Sequence, residues 1–170
     1  LWNTFVPPIL PRTPLLTGTA QTMLSWPKIM ESLDDVPPVF KEFIETLLGD
    51  SPEFPYVVLT PAKRGFFSKS ADKLICDTGD TIYIAEQAGD RIIANGYPLE
   101  TIRYVEVGVI LLHAWITISG VTLDGVSTSS SFVFNSARDR ILSPLIDKIR
   151  SVPAEPDETQ LNIEKSKFDY

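Results

Sequence analysis

The chain has 170 residues, 44% of them hydrophobic, and a formal net charge of -7. That length suits one domain of ordinary size plus appendages, the charge repels nucleic-acid phosphate over most of the surface, and no apolar run approaches the roughly 18 residues of a membrane span. The single cysteine, Cys76, leaves no intramolecular disulfide and no thiolate metal cluster, which points to a reducing cytoplasm.

Residues 1–25 carry prolines at 7, 8, 11 and 14, too closely spaced for a helix or a central strand. These prolines also interrupt what would be the apolar part of a secretion signal. An extended arm is expected, although Trp2, Phe5, Ile9 and Leu10 suit a segment that docks on its own domain or on a neighbouring subunit. A helical turn is expected within Ser25 to Leu33. From Asp35, as a possible cap, Pro37 and Pro38 lead into Val39, Phe40, Phe43, Ile44, Leu47 and Leu48 at helical spacing, ended by Gly49.

Short strands follow over Tyr56 to Thr60, Leu74 to Cys76, Thr81 to Glu86 and Arg91 to Asn95, the last two joined by a hairpin at Ala88-Gly89-Asp90. The stretch from Thr101 to Gly120 is the longest β-branched and aromatic run. It predicts two strands of sheet core folded back at Gly108. Asp124-Gly125 turns the chain into a last strand through Phe132 and Phe134. Ser136 and Asp139 have the spacing of a capping box, and Ile141, Leu142, Leu145, Ile146 and Ile149 form one helical stripe. Pro144 predicts a kink in that helix, with a second helix start at Ser143 as the alternative. The closing residues 152–170 are polar and acidic and read as a tail.

Roughly seven antiparallel strands followed by one helix is the order of a pleckstrin-homology-like barrel. The stretches YPLETIRYVEVGVILLHAWITISG and SFVFNSARDRILSPLIDKIR resemble uncharacterised bacterial proteins with such a PH-like domain. The resemblance implies a mainly β (α+β) fold: an arm and helix over 1–53, a barrel closed by its C-terminal helix over 54–151, and the tail. It also implies a non-enzymatic module that works through protein contacts, including homo-oligomers.

Chemistry-bearing clusters are scarce. His113 is the only histidine, on a face with Trp115 and Thr117. No metal-ligand spacing or nucleophile motif accompanies it in the sequence, so no catalytic residue, metal ligand or cofactor is expected. Asp72, Asp77, Asp80, Glu86 and Asp90 are spread over strand ends and turns, and Gly65, Gly79, Gly89 and Gly96 read as isolated turn glycines. One loop carries a functional expectation. Lys63, Arg64, Lys69 and Lys73 surround Phe66 and Phe67, at the place where lipid-binding relatives of the PH fold receive anionic head groups. Peripheral membrane contact is therefore the alternative to protein binding. Apolar surface at Trp115, along Val126 to Ser131 and on the N-terminal arm favours self-association.

Overall fold

The computed structural model describes residues 26–61 and 71–152. Eight strands stand among them: β1 (Lys28–Met30), β2 (Tyr56–Thr60), β3 (Lys73–Asp77), β4 (Thr81–Ala88), β5 (Arg91–Pro98), β6 (Ile102–Ile110), β7 (His113–Val121) and β8 (Ser127–Asn135). Helix α1 (Pro38–Leu48) lies between β1 and β2, and α2 (Ser143–Ser151) follows β8. All pairings are antiparallel, in a five-stranded sheet of order β1 to β5 and a three-stranded sheet of order β6 to β8, with no closed barrel. The mainly β expectation holds at that level.

Strands β2 to β4 of the five-stranded sheet are buried on both faces, which explains their unbroken apolar runs VVL, LIC and IYIA, whereas Ile29 of β1 and Ile93 of β5 stand exposed at its edges. Register separates the two faces. Val58, Ile75 and Ile84 pair in one row, and Met30, Val57, Cys76 and Tyr83 in the other. The first row meets Ala114, Ile116, Ile118, Phe132 and Phe134 of the three-stranded sheet, together with Leu142, Leu145 and Ile149. The second row is covered by Phe40 and Ile44 of α1. A buried polar link ties the sheets together: Ser130 Oγ accepts from Asn95 Nδ2 at 3.0 Å and lies 2.8 Å from the Tyr97 hydroxyl.

Several local expectations need correction. Among the described residues 26–33 no helical turn forms; Lys28–Met30 is strand β1 instead, pairing Met30 with Val57. Asp35 does not cap α1. Its Oδ2 accepts from the Glu31 and Ser32 amides and holds the preceding loop, while Pro38 supplies the pre-set φ of the first turn. Gly49 ends the helix with φ 48°. Asn135, not Ser136, caps the turn after β8, accepting from the Ala137 amide at 3.0 Å. Instead of one kinked helix there is a 3-10 segment, Ser136–Leu142, broken at Arg138, and then α2 with Pro144 in its first turn. The proline's missing N–H is harmless there, where no intrahelical acceptor is due.

Two glycines read as turn formers are strand residues under aromatic rings. Gly96 pairs with Tyr83, and Gly108 pairs with Trp115. A Cβ on Gly108 would stand 1.9 Å from Trp115 Cζ2, so glycine here makes room for an indole laid across the strand. The hairpin therefore reverses not at Gly108 but at Leu111-Leu112, between Ile110 and its partner His113. The hairpins at Gly89-Asp90 and at Asp124-Gly125 form where expected, with Gly89 at φ 68° and Gly125 at φ 80°.

Candidate functional site

The β6–β7 hairpin carries the exposed apolar surface. Paired residues of an antiparallel ladder share a face, so Val105, Val107 and Val109 belong to the core-facing side with Ile118, Ile116 and Ala114. The β7 members are fully buried, but exposure grows along the β6 edge: Val105 is half-buried, Val107 is 40% exposed and Val109 54%. Beyond them Ile110, Leu111 and Leu112 stand 63%, 90% and 59% exposed at the turn. These residues are not the sheet core that their sequence predicts.

The turn is held in place rather than loose. Ser136 donates from its amide to the Leu112 carbonyl at 3.2 Å and from Oγ to the Leu111 carbonyl at 2.7 Å. Leu111 has φ 56°, a left-handed conformation in which leucine is strained and glycine or asparagine relaxed. No other non-glycine residue among the described ones has a positive φ. The fold thus fixes a bulky apolar side chain, in a backbone state that disfavours it, at a point where water surrounds it.

The outward face of the same sheet is polar. Trp115 Nε1 donates to Glu106 at 3.1 Å, Thr117 to Ser131 at 3.1 Å, and Ser119 and Ser129 share a 2.7 Å contact. His113 lies 6.0 Å from the Trp115 ring, centre to centre. Trp115, expected as sticky surface, is half-buried and engaged. The run Val126 to Ser131 is mostly β8 paired with β7, with Val126 exposed in the preceding turn.

Of the basic-loop residues, Lys63, Arg64, Phe66, Phe67 and Lys69 lie outside the described residues. Lys73 lies on β3, where its Nζ bonds Glu86 and the Ser131 carbonyl, both at 2.7 Å, and joins the two sheets. A cleft of about 330 Å³ lies between the end of α1 and the start of the β3–β4 turn, lined by Leu47, Phe54, Asp77, Gly79 and Lys148. Of its charged residues Glu53, Asp77 and Lys148, the last two serve each other: Lys148 Nζ lies 2.6 and 2.8 Å from the Asp77 oxygens, and Gly79 donates to the same carboxylate.

Among the described residues no group of three or more His, Cys, Asp or Glu side chains stands together to hold a metal. No described helix is long and apolar enough to cross a membrane. Burial, with a smaller contribution from the Asp77 charge, pushes the Cys76 thiol up to about 12. Cys76 is therefore expected to resist iodoacetamide at pH 8 in the native protein and to label only through unfolding; rapid stoichiometric labelling without denaturant would contradict this. The linked sign is that stability falls as pH rises above the unfolded thiol's value of about 8.5, because the unfolded chain then sheds a proton that the folded one keeps.

Sequence alone missed the hairpin as a site. A tell-tale was present: Leu-Leu stands where a two-residue β-turn favours Asn-Gly or Gly. No protein-family model, curated protein or solved structure matches this chain.

Proposed function

We propose that this chain is a non-catalytic interaction module of PH-like architecture that binds protein partners, a second copy of itself included, through the β6–β7 hairpin. The architectural part is supported by element order. Strands β2 to β5 form one meander, β6 to β8 a second, and a helix follows, with β1 and α1 as additions on the first sheet. The functional part is carried by one observation, the pinned apolar turn Ile110-Leu111-Leu112. Exposed aliphatic clusters of this kind on a held backbone are surfaces that gain free energy when a partner removes them from water.

The decisive measurement is sedimentation velocity over a wide concentration range, on the native chain and on Ile110→Ser/Leu111→Asn/Leu112→Ser. Association is expected in the native chain and weakened at least tenfold in the variant, roughly the loss of 1.4 kcal/mol. Asparagine tolerates the left-handed backbone, so folding stability is expected to be unchanged or slightly raised. A native chain that stays monomeric at every concentration removes the self-association part of the reading.

The alternative is peripheral membrane contact through residues 63–73. Lys73 weakens it, since its charge is matched by Glu86. Co-sedimentation with anionic vesicles is expected to be no greater than with neutral ones, and unaffected by Lys63→Ala/Arg64→Ala/Lys69→Ala. Salt-sensitive binding to anionic vesicles that this variant abolishes would reverse the ranking of the two readings.

A further inference from the structure

Strand β6 has no further strand beside it among the described residues, whereas the other sheet edges are short or tied down. Strand β1 has three residues, β5 accepts the Leu123 amide on its Gly96 carbonyl, and the Ser131 carbonyl of β8 accepts from Lys73 Nζ. Natural edges are guarded by lysine, proline, bulges or inward-pointing charges. Residues 104–110, YVEVGVI, contain no lysine and no proline, and the register shift of this strand lies behind them, between Ile102 and Tyr104. Their single charge, Glu106, is on the polar face, where Trp115 bonds it. The backbone offers one pairing phase. A two-residue turn closes on a hydrogen-bonded pair, Ile110 with His113, and such pairs then alternate along the ladder. By that alternation Gly108 and Glu106 spend their backbone groups on β7, while Val105, Val107 and Val109 direct theirs outward from the edge.

We infer that two copies of this chain pair antiparallel through β6, with Val107 on the two-fold axis, so that their three-stranded sheets continue as one. The inference rests on the reading of the hairpin as a self-association surface and names how the copies meet. Self-complementarity selects a second copy over an unrelated strand. In this register Val105 faces Val109 and Val107 faces its own copy on one side of the sheet, while Tyr104 faces Ile110 and Glu106 faces Gly108 on the other. Each exposed apolar side chain of β6, at Tyr104, Val107, Val109 and Ile110, thus meets an apolar one, and the carboxylate meets a residue without a side chain. The outward pairs exchange about six backbone hydrogen bonds. Neighbouring registers lose this match. An axis at Glu106 sets carboxylate on carboxylate and calls on backbone groups already spent on β7. An axis at Val105 sets Tyr104 on Glu106 and Val107 on Arg103, and one at Val109 runs off the strand into the turn.

The test uses the full chain with single cysteines introduced in β6, in a glutathione redox buffer, the native Cys76 being buried. Val107→Cys is expected to form a disulfide dimer, because paired residues on the axis have Cα atoms about 5.5 Å apart, within bridging range. Val105→Cys alone and Val109→Cys alone stand about 13 Å from their own copies and are expected to give about tenfold less, while an equal mixture of the two cross-links. A second readout is Val107→Pro, which keeps an apolar side chain, deletes the outward amide and is tolerated on an edge strand. Its self-association in sedimentation velocity is expected to be about tenfold weaker than the native chain's. Unchanged association of Val107→Pro, cross-linking of Val105→Cys alone as ready as that of the mixture, or no disulfide at Val107→Cys would each overturn the inference. Association that Ile110→Ser/Leu111→Asn/Leu112→Ser weakens, without the cysteine pattern, leaves the contact surface standing and removes the paired edge. The cysteine pattern in a chain whose association ignores those three substitutions keeps the paired edge and removes the turn as the surface that drives it.

Discussion

Phe40→Ala is expected to cost about 3 to 5 kcal/mol, a large part of the roughly 5 to 15 kcal/mol that holds a domain of this size together. Phe40 is fully buried and packs in one cluster with Ile44, Met30, Val57, Leu74, Cys76 and Ala85. Truncating it removes apolar contact from both α1 and the outer face of the five-stranded sheet, and leaves a cavity that a β-sheet backbone closes poorly. Because that sheet also lines the inter-sheet core through Val58, Ile75 and Ile84, the loss is expected throughout the fold. Urea unfolding followed by Cys76 labelling reads this directly, since the thiol lies in the affected cluster. One cooperative transition shifted by several kcal/mol is the expected result. A shift below about 1 kcal/mol, or a separate early transition for α1, would mean that the helix is an independent appendage.

The second large effect is expected at Gly120. Gly120 lies opposite Ile102, where the β6–β7 register shifts before Tyr104, and a Cβ there would stand 2.6 Å from the Thr101 carbonyl oxygen and 3.0 Å from the Ile102 Cα. Both obstacles are backbone. Thr101 is itself fixed by its hydroxyl, which donates to the Pro98 carbonyl at 2.8 Å. Gly120→Ala therefore has to move the corner between the two sheets and is expected to cost about 3 kcal/mol. Gly108→Ala is the control. Its nominal clash is closer, but the obstacle is the half-buried Trp115 ring, a side chain that can swing outward at the cost of its bond to Glu106. That substitution is expected to cost only about 1 kcal/mol and to shift Trp fluorescence to the red. Equal costs at the two positions, measured by urea unfolding, would refute the distinction between backbone and side-chain crowding.

Both effects depend on neighbours that are distant in sequence, and the same holds for the interaction surface. VGVILLHAWI is apolar but for His113, and in a single chain such a run is indistinguishable from buried sheet. Its two strands have opposite fates because β7 lies between β6 and β8, while β6 has no further strand beside it among the described residues. Position in the sheet, not composition, leaves Val109 and Ile110 in water and Ala114 and Ile116 dry.

What the sequence determined by itself follows from local physics. The helix over Val39 to Leu48, strands β2 to β8, the Gly89-Asp90 and Asp124-Gly125 turns and the inward alternation of Ile116 and Ile118 depend on side-chain period, proline's fixed φ and glycine's tolerance of positive φ. Each of these acts within a few residues. Only the tertiary structure decided that β2 to β4 are covered on both faces and that Gly96 and Gly108 lie under Tyr83 and Trp115. It also moved the turn to Leu111-Leu112 and left that apolar turn exposed. Cross-strand register and sheet-edge position arise from pairing between segments, and no periodicity within one segment encodes them.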